Sequence, residues 1–82
     1  MRTKQIIDGF KNSQKFRAVI NGIIIGDCQV KDLVGNRFQQ QDQRIAVWEA
    51  LIELSATMRF RNPNARGYGA NLRGYDVQVD LI

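Results

Sequence analysis

With 82 residues and a net charge of +4, from twelve lysines and arginines against eight acids, the chain is sized for one domain spanning 1–82 and leans toward polyanionic partners. A chain this short buries only about 60–65 % of its unfolded surface, so its core is marginal and self-association is a reasonable route to further burial. It has no histidine and one cysteine, Cys28, which excludes an internal disulfide, argues against zinc, and removes the usual general base near neutral pH.

Apolar runs such as Ile23–Ile25 are far too short for a membrane span or a signal-peptide core. Met1-Arg2-Thr3-Lys4 passes quickly to Asp8, which does not fit a secretory signal. The expectation is a cytoplasmic protein with no membrane partner.

In chain order, residues 3–10 (TKQIIDGF) read either as a short helix capped by Thr3 or as a short strand, and Asn12-Ser13 as a turn. The runs Phe16–Ile20 and Ile23–Ile25 flank Asn21-Gly22. Asn-Gly between β-branched runs predicts a type I′ hairpin, because both central residues need positive φ. Phe16, Ala18 and Ile20 should then share one sheet face, with Lys15, Arg17 and Val19 on the other. The second strand is expected to continue, with a bulge at Gly26-Asp27, through Cys28 and Val30 toward Asp32. Gly35-Asn36 reads as a turn, and Arg37 to Gln41 as a short third strand or a lead-in to a helix.

Gln43 to Phe60 predicts one amphipathic helix. On a helical wheel Val47, Leu51, Leu54 and Met58 cluster, Trp48, Ile52 and Ile45 widen that face on one side, and Glu49, Glu53 and Thr57 form the polar stripe. The apolar arc spans about 200°, against the ~100° that covering a sheet requires. Two explanations stay open: a helix sunk deep in a small core, or a helix whose Ile45, Trp48 and Ile52 also meet a second subunit. Asp42 and its glutamine neighbours suit the helix start, and Arg59 and Arg61 its end.

Arg61 to Gly74 reads as a long loop rich in Asn, Gly and Pro. Tyr75, Val77, Val79 and Leu81 then alternate with Asp76, Gln78 and Asp80, as a half-buried, open-ended strand does. The expected fold is α+β: a small antiparallel sheet, made of the N-terminal hairpin and the C-terminal strand, packed against one long α-helix. The order hairpin then helix is similar to that of double-stranded-RNA-binding domains. QQQDQR lacks the basic cluster that family carries at its last helix, and the C-terminal strand is extra, so no family is assigned.

Catalysis finds little support. Cys28 lies in an expected strand with no histidine in the chain to activate it, and reads as a buried, inert thiol. Glu49 and Glu53 are four apart on the helix but read as a solvated face. The G-x-G of Gly67 and Gly69 follows a helix and precedes a strand, the reverse of a dinucleotide fingerprint. No cofactor, metal or small-molecule substrate is expected, and the protein reads as non-enzymatic.

The most suggestive segment, Leu54 to Tyr75, holds no acid. It carries Arg59, Arg61, Arg66 and Arg73 with Phe60, Tyr68 and Tyr75 interleaved. Arginine forks match phosphate geometry and tyrosine faces stack on unpaired bases. The expected nucleic-acid contacts are therefore Arg59, Arg61, Arg66, Tyr68 and Arg73 in the loop, helped by Lys15 and Arg17 on the hairpin. The competing expectation is a compact protein-binding module, such as a phage- or plasmid-type inhibitor or a self-assembling structural subunit. It would use the wide helix face, the final strand and the Tyr/Arg segment, and its self-associating version is a homodimer.

Overall fold

The computed structural model describes Phe10 and residues 13–34 and 40–82. The expectations for residues 3–9 of the 3–10 segment, for Asn12 of the Asn12-Ser13 turn, for Gly35-Asn36, and for 37–39 of the strand or lead-in over Arg37 to Gln41 lie outside them. Four strands form one antiparallel sheet: β1 (Lys15–Ile20), β2 (Ile23–Gln29), β3 (Gly67–Leu72) and β4 (Tyr75–Leu81), in the order β2-β1-β4-β3. The helix α1 (Gln41–Phe60) packs on one face, against β3 and β4. The expected α+β fold is what the chain adopts, with α1 starting two residues earlier than its apolar period suggests.

The first hairpin forms as its sequence demands. Asn21 and Gly22 take φ of 52° and 80°, the two positive values of a type I′ turn. Phe16, Ala18 and Ile20 are buried, and Lys15 and Arg17 on the opposite face are exposed. The pairing slips between Ala18↔Gly26 and Val19↔Ile24, leaving Ile25 as the extra residue of a bulge, while Gly26 and Asp27, where the sequence predicts the bulge, pair with Ala18 and Arg17.

Two expectations are corrected. The second strand does not run on to Asp32; β2 stops at Gln29, and Val30–Val34 wind into a 3-10 helix. The Asp32 carboxylate accepts the Gln29 N–H at 2.8 Å, so a side chain supplies the acceptor that a further strand residue would otherwise need. Residues 61–74 are also not one long loop. Gly67–Leu72 form β3, paired with β4 without a register slip from Gly67↔Asp80 to Leu72↔Tyr75. The connecting turn is Arg73-Gly74, with φ of 54° and 84°, a second type I′ geometry. In consequence β4 is an interior strand between β1 and β3, and the sheet edges are β2 and β3.

The two hairpins are tied at their turns. The Asn21 side chain accepts the Asp76 N–H at 2.9 Å, while the Asn21 N–H donates to the Asp76 carbonyl at 2.8 Å. Between sheet and helix lie Phe16, Ala18 and Ile20 of β1, Cys28, Val77 and Val79, against Ala46, Val47, Trp48, Ala50, Leu51 and Leu54 of α1. Val30 and Leu33 of the 3-10 helix complete the core. Each large side chain buried there contributes about 1.5–3 kcal/mol. Trp48 is only 5 % exposed; the wide apolar arc of α1 is therefore used mostly by the chain's own core, with Ile45 and Ile52 half-buried at its margin.

Candidate nucleic-acid interface

Arg59 stands in the last turn of α1 and Arg61 is its C-cap. The Arg61 and Asn62 N–H groups both donate to the Thr57 carbonyl, at 3.0 and 2.7 Å, so the helix closes firmly. The chain then reverses in a turn: the Ala65 N–H reaches the Asn62 carbonyl at 3.0 Å, and the Asn62 side chain accepts the Asn64 N–H at 3.1 Å. Pro63 occupies the second position, where its fixed φ suits such a turn. Arg66 follows, anchored where its carbonyl accepts the Leu81 N–H at 2.7 Å. A turn of this kind spans less than about 7 Å, so the Cα atoms of Arg61 and Arg66, one residue beyond each end, lie within about 15 Å.

Three of the sequence-derived residues, Arg59, Arg61 and Arg66, thus gather at the pole where α1 ends and β3 begins, and all three are exposed. Arg73 does not join them. It sits at the far end of β3, about 20 Å away at ~3.4 Å per residue, and its Nε lies 2.7 Å from Glu49 Oε1.

Tyr68 alternates with the outward Gly67 and Gly69, is half-buried and packs against the core beneath α1. Lys15 lies at the same end of the sheet as the pole, its carbonyl accepting the Ile82 N–H at 3.1 Å, but on the sheet face away from α1. Arg17 shares that face, with Asp27 opposite it on β2 and Asp80 opposite it on β4. Its Nε is 3.0 Å from Asp27 Oδ1. With Asp76 also exposed there, this face is of mixed charge, and its two cations do not extend the arginine pole into one surface.

Phe60, one of the aromatics interleaved with the arginines, is not among the contacts expected from the sequence. It ends α1 with 76 % of its surface exposed, and the Arg59 guanidinium lies over its ring, 5.5 Å from the centroid. A signal existed in the wheel, since Phe60 falls between Glu49 and Glu53, away from the Val47, Leu51 and Leu54 side of the helix. Beside the pole, a pocket of about 180 Å³ is lined by Phe10, Ser55, Met58, Arg59 and Pro63.

Among the described residues no group of three or more His, Cys, Asp or Glu side chains is arranged to hold a metal ion. Glu49 of the acidic pair is engaged by Arg73, and Cys28 is buried. No described helix is long and apolar enough to cross a membrane. No protein-family model matches the chain, and no curated protein or solved structure matches it.

Proposed function

We propose that this chain is a small, basic, non-enzymatic nucleic-acid-binding accessory protein that engages phosphates through Arg59, Arg61 and Arg66. The observation that carries the reading is the convergence of these three arginines on one hydrogen-bonded helix end and turn, within an acid-free run of sequence. Guanidinium forks match phosphate oxygens bidentately, and the hydrogen-bonded backbone fixes where the three side chains start. Arg73 and Arg17 lie away from this pole, beside Glu49 and Asp27, and are not part of the proposed contact.

The test is a salt titration of binding to labelled single- and double-stranded oligonucleotides. Three phosphate contacts imply a slope of log K against log[salt] of about −2 to −3, with non-specific affinity on the order of 10⁻⁴–10⁻⁶ M at physiological salt. Arg61→Ala and Arg66→Ala should each flatten the slope by about 1. Absence of binding at low salt, or slopes that both variants leave unchanged, refutes the proposal.

A second reading, a protein-binding or self-assembling module, is favoured by a different observation. Ile23 and Ile24, on the edge strand β2, are 67 % and 66 % exposed. Apolar side chains on a sheet edge invite strand pairing with another chain. Solution mass at several concentrations decides this: a dimer or larger species abolished by Ile24→Lys supports the reading, and a monomer at all concentrations removes its self-associating form.

A further inference from the structure

We infer, resting on the nucleic-acid reading above, that the arginine pole takes a single strand and that Phe60 is the ring on which an unpaired base stacks. Phe60 is 76 % exposed and lies outside the buried core cluster, on the Glu49–Glu53 stripe of the helix. An aromatic ring held in water on a closed helix end is costly to hydrate and ready to be covered.

Its surroundings define what covers it. Arg59 lies over the ring at 5.5 Å, Arg61 is the next residue, and the Asn62–Ala65 turn returns the chain to Arg66. Cations flanking an aromatic face are the combination that holds an unpaired strand, phosphates on the charges and base on the ring. Duplex bases have both faces already covered by their neighbours, so a single exposed ring finds no free base face there. Tyr68, the ring the sequence favours, packs against the core and offers no such platform.

The experiment compares fluorescence anisotropy of a labelled oligo-dT with that of a mixed-sequence duplex of equal length, at low salt, for wild type, Phe60→Ala, Phe60→Trp and Arg66→Ala. Phe60→Ala is expected to weaken single-strand binding roughly 5- to 100-fold while leaving duplex binding within about twofold, since phosphate contacts are untouched. Phe60→Trp should retain single-strand binding, and its indole emission should be quenched as a base stacks, separable from buried Trp48 by difference against wild type. Arg66→Ala should weaken both ligands.

If Phe60→Ala binds the single strand within twofold of wild type while Arg66→Ala does not, stacking is overturned and phosphate binding stands. If Phe60→Ala loses both ligands equally, the single-strand assignment is overturned. If wild type binds neither at low salt, the parent reading and this inference fall together.

Discussion

Replacing each of the two glycines of β3 by alanine should have opposite effects. Alanine restricts the unfolded chain and, where the native backbone accepts it, stabilises by about 0.4–1 kcal/mol. At Gly69 an added Cβ meets nothing nearer than the Val77 carbonyl at 3.7 Å, an ordinary contact. Gly69→Ala should therefore raise Tm by about 2–8 °C in a domain of this size. At Gly67 the same atom runs into the Asp80 carboxylate and lies 3.2 Å from the Val79 carbonyl. Asp80 must swing away, giving up the bond that Gln78 Nε2 donates to it at 3.2 Å.

That hydrogen bond is exposed and contributes toward the low end of about 0.5–1.5 kcal/mol, while the Val79 carbonyl, a backbone atom 3.2 Å from the added Cβ, must also give way. The alanine gain is outweighed, and Gly67→Ala should lower stability by about 1 kcal/mol, a Tm drop of roughly 4–8 °C. Calorimetry on both variants, repeated in an Asp80→Ala background, measures the effect. Removing the carboxylate should recover most of the Gly67 loss and leave the Gly69 gain intact, a coupling of about 1 kcal/mol for the first pair only. Equal responses at both glycines, or no coupling to Asp80, would refute the placement of Gly67 against Asp80 in a paired strand. An open loop over 61–74 predicts that equality.

Two further outcomes follow from the same geometry. Arg73 holds φ of 54°, a conformation that costs a non-glycine residue about 1–2 kcal/mol and that Asn tolerates better; its exposed pair with Glu49 returns about 0.2–1. In a Glu49→Gln background, where that pair is already gone, Arg73→Asn should raise stability by up to about 1 kcal/mol in thermal melts, and a loss there would contradict the turn assignment. Leu51 is fully buried whereas Ile52 beside it is half-buried. Leu51→Ala should cost about 2–5 kcal/mol in urea unfolding, a large part of the roughly 4–12 kcal/mol available to such a chain. Ile52→Ala should cost clearly less, and the reverse order would mean that the helix packs by another face.

How far the sequence alone reaches depends on the range of the physics involved. The first hairpin, the burial of Phe16, Ala18 and Ile20, the alternation of β4 and the helix α1 are all legible, because each is set by local turn chemistry or by a period carried in consecutive residues. In β3 the same alternation exists, Tyr68, Ala70 and Leu72 inward, but glycines on the other face mimic a loop. Its turn uses Arg73, a residue that adopts positive φ only when strands already paired on both sides demand it.

The arginines show the other limit. Their number and the absence of acids between Leu54 and Tyr75 are sequence facts; which of them share a surface is decided by topology. The strand β3 carries Arg73 away to Glu49, the cross-strand neighbours of Arg17 are Asp27 and Asp80, and the Asn62–Ala65 turn holds Arg66 near Arg59 and Arg61. Periodicity also left open whether the wide apolar arc of α1 met the chain's own sheet or a second subunit. Packing against the chain's own sheet puts Trp48 in the core, while Phe60, at the end of the same helix, is left exposed. Charge and period are properties of neighbours in sequence; adjacency across a sheet arises only when residues tens of positions apart are brought together.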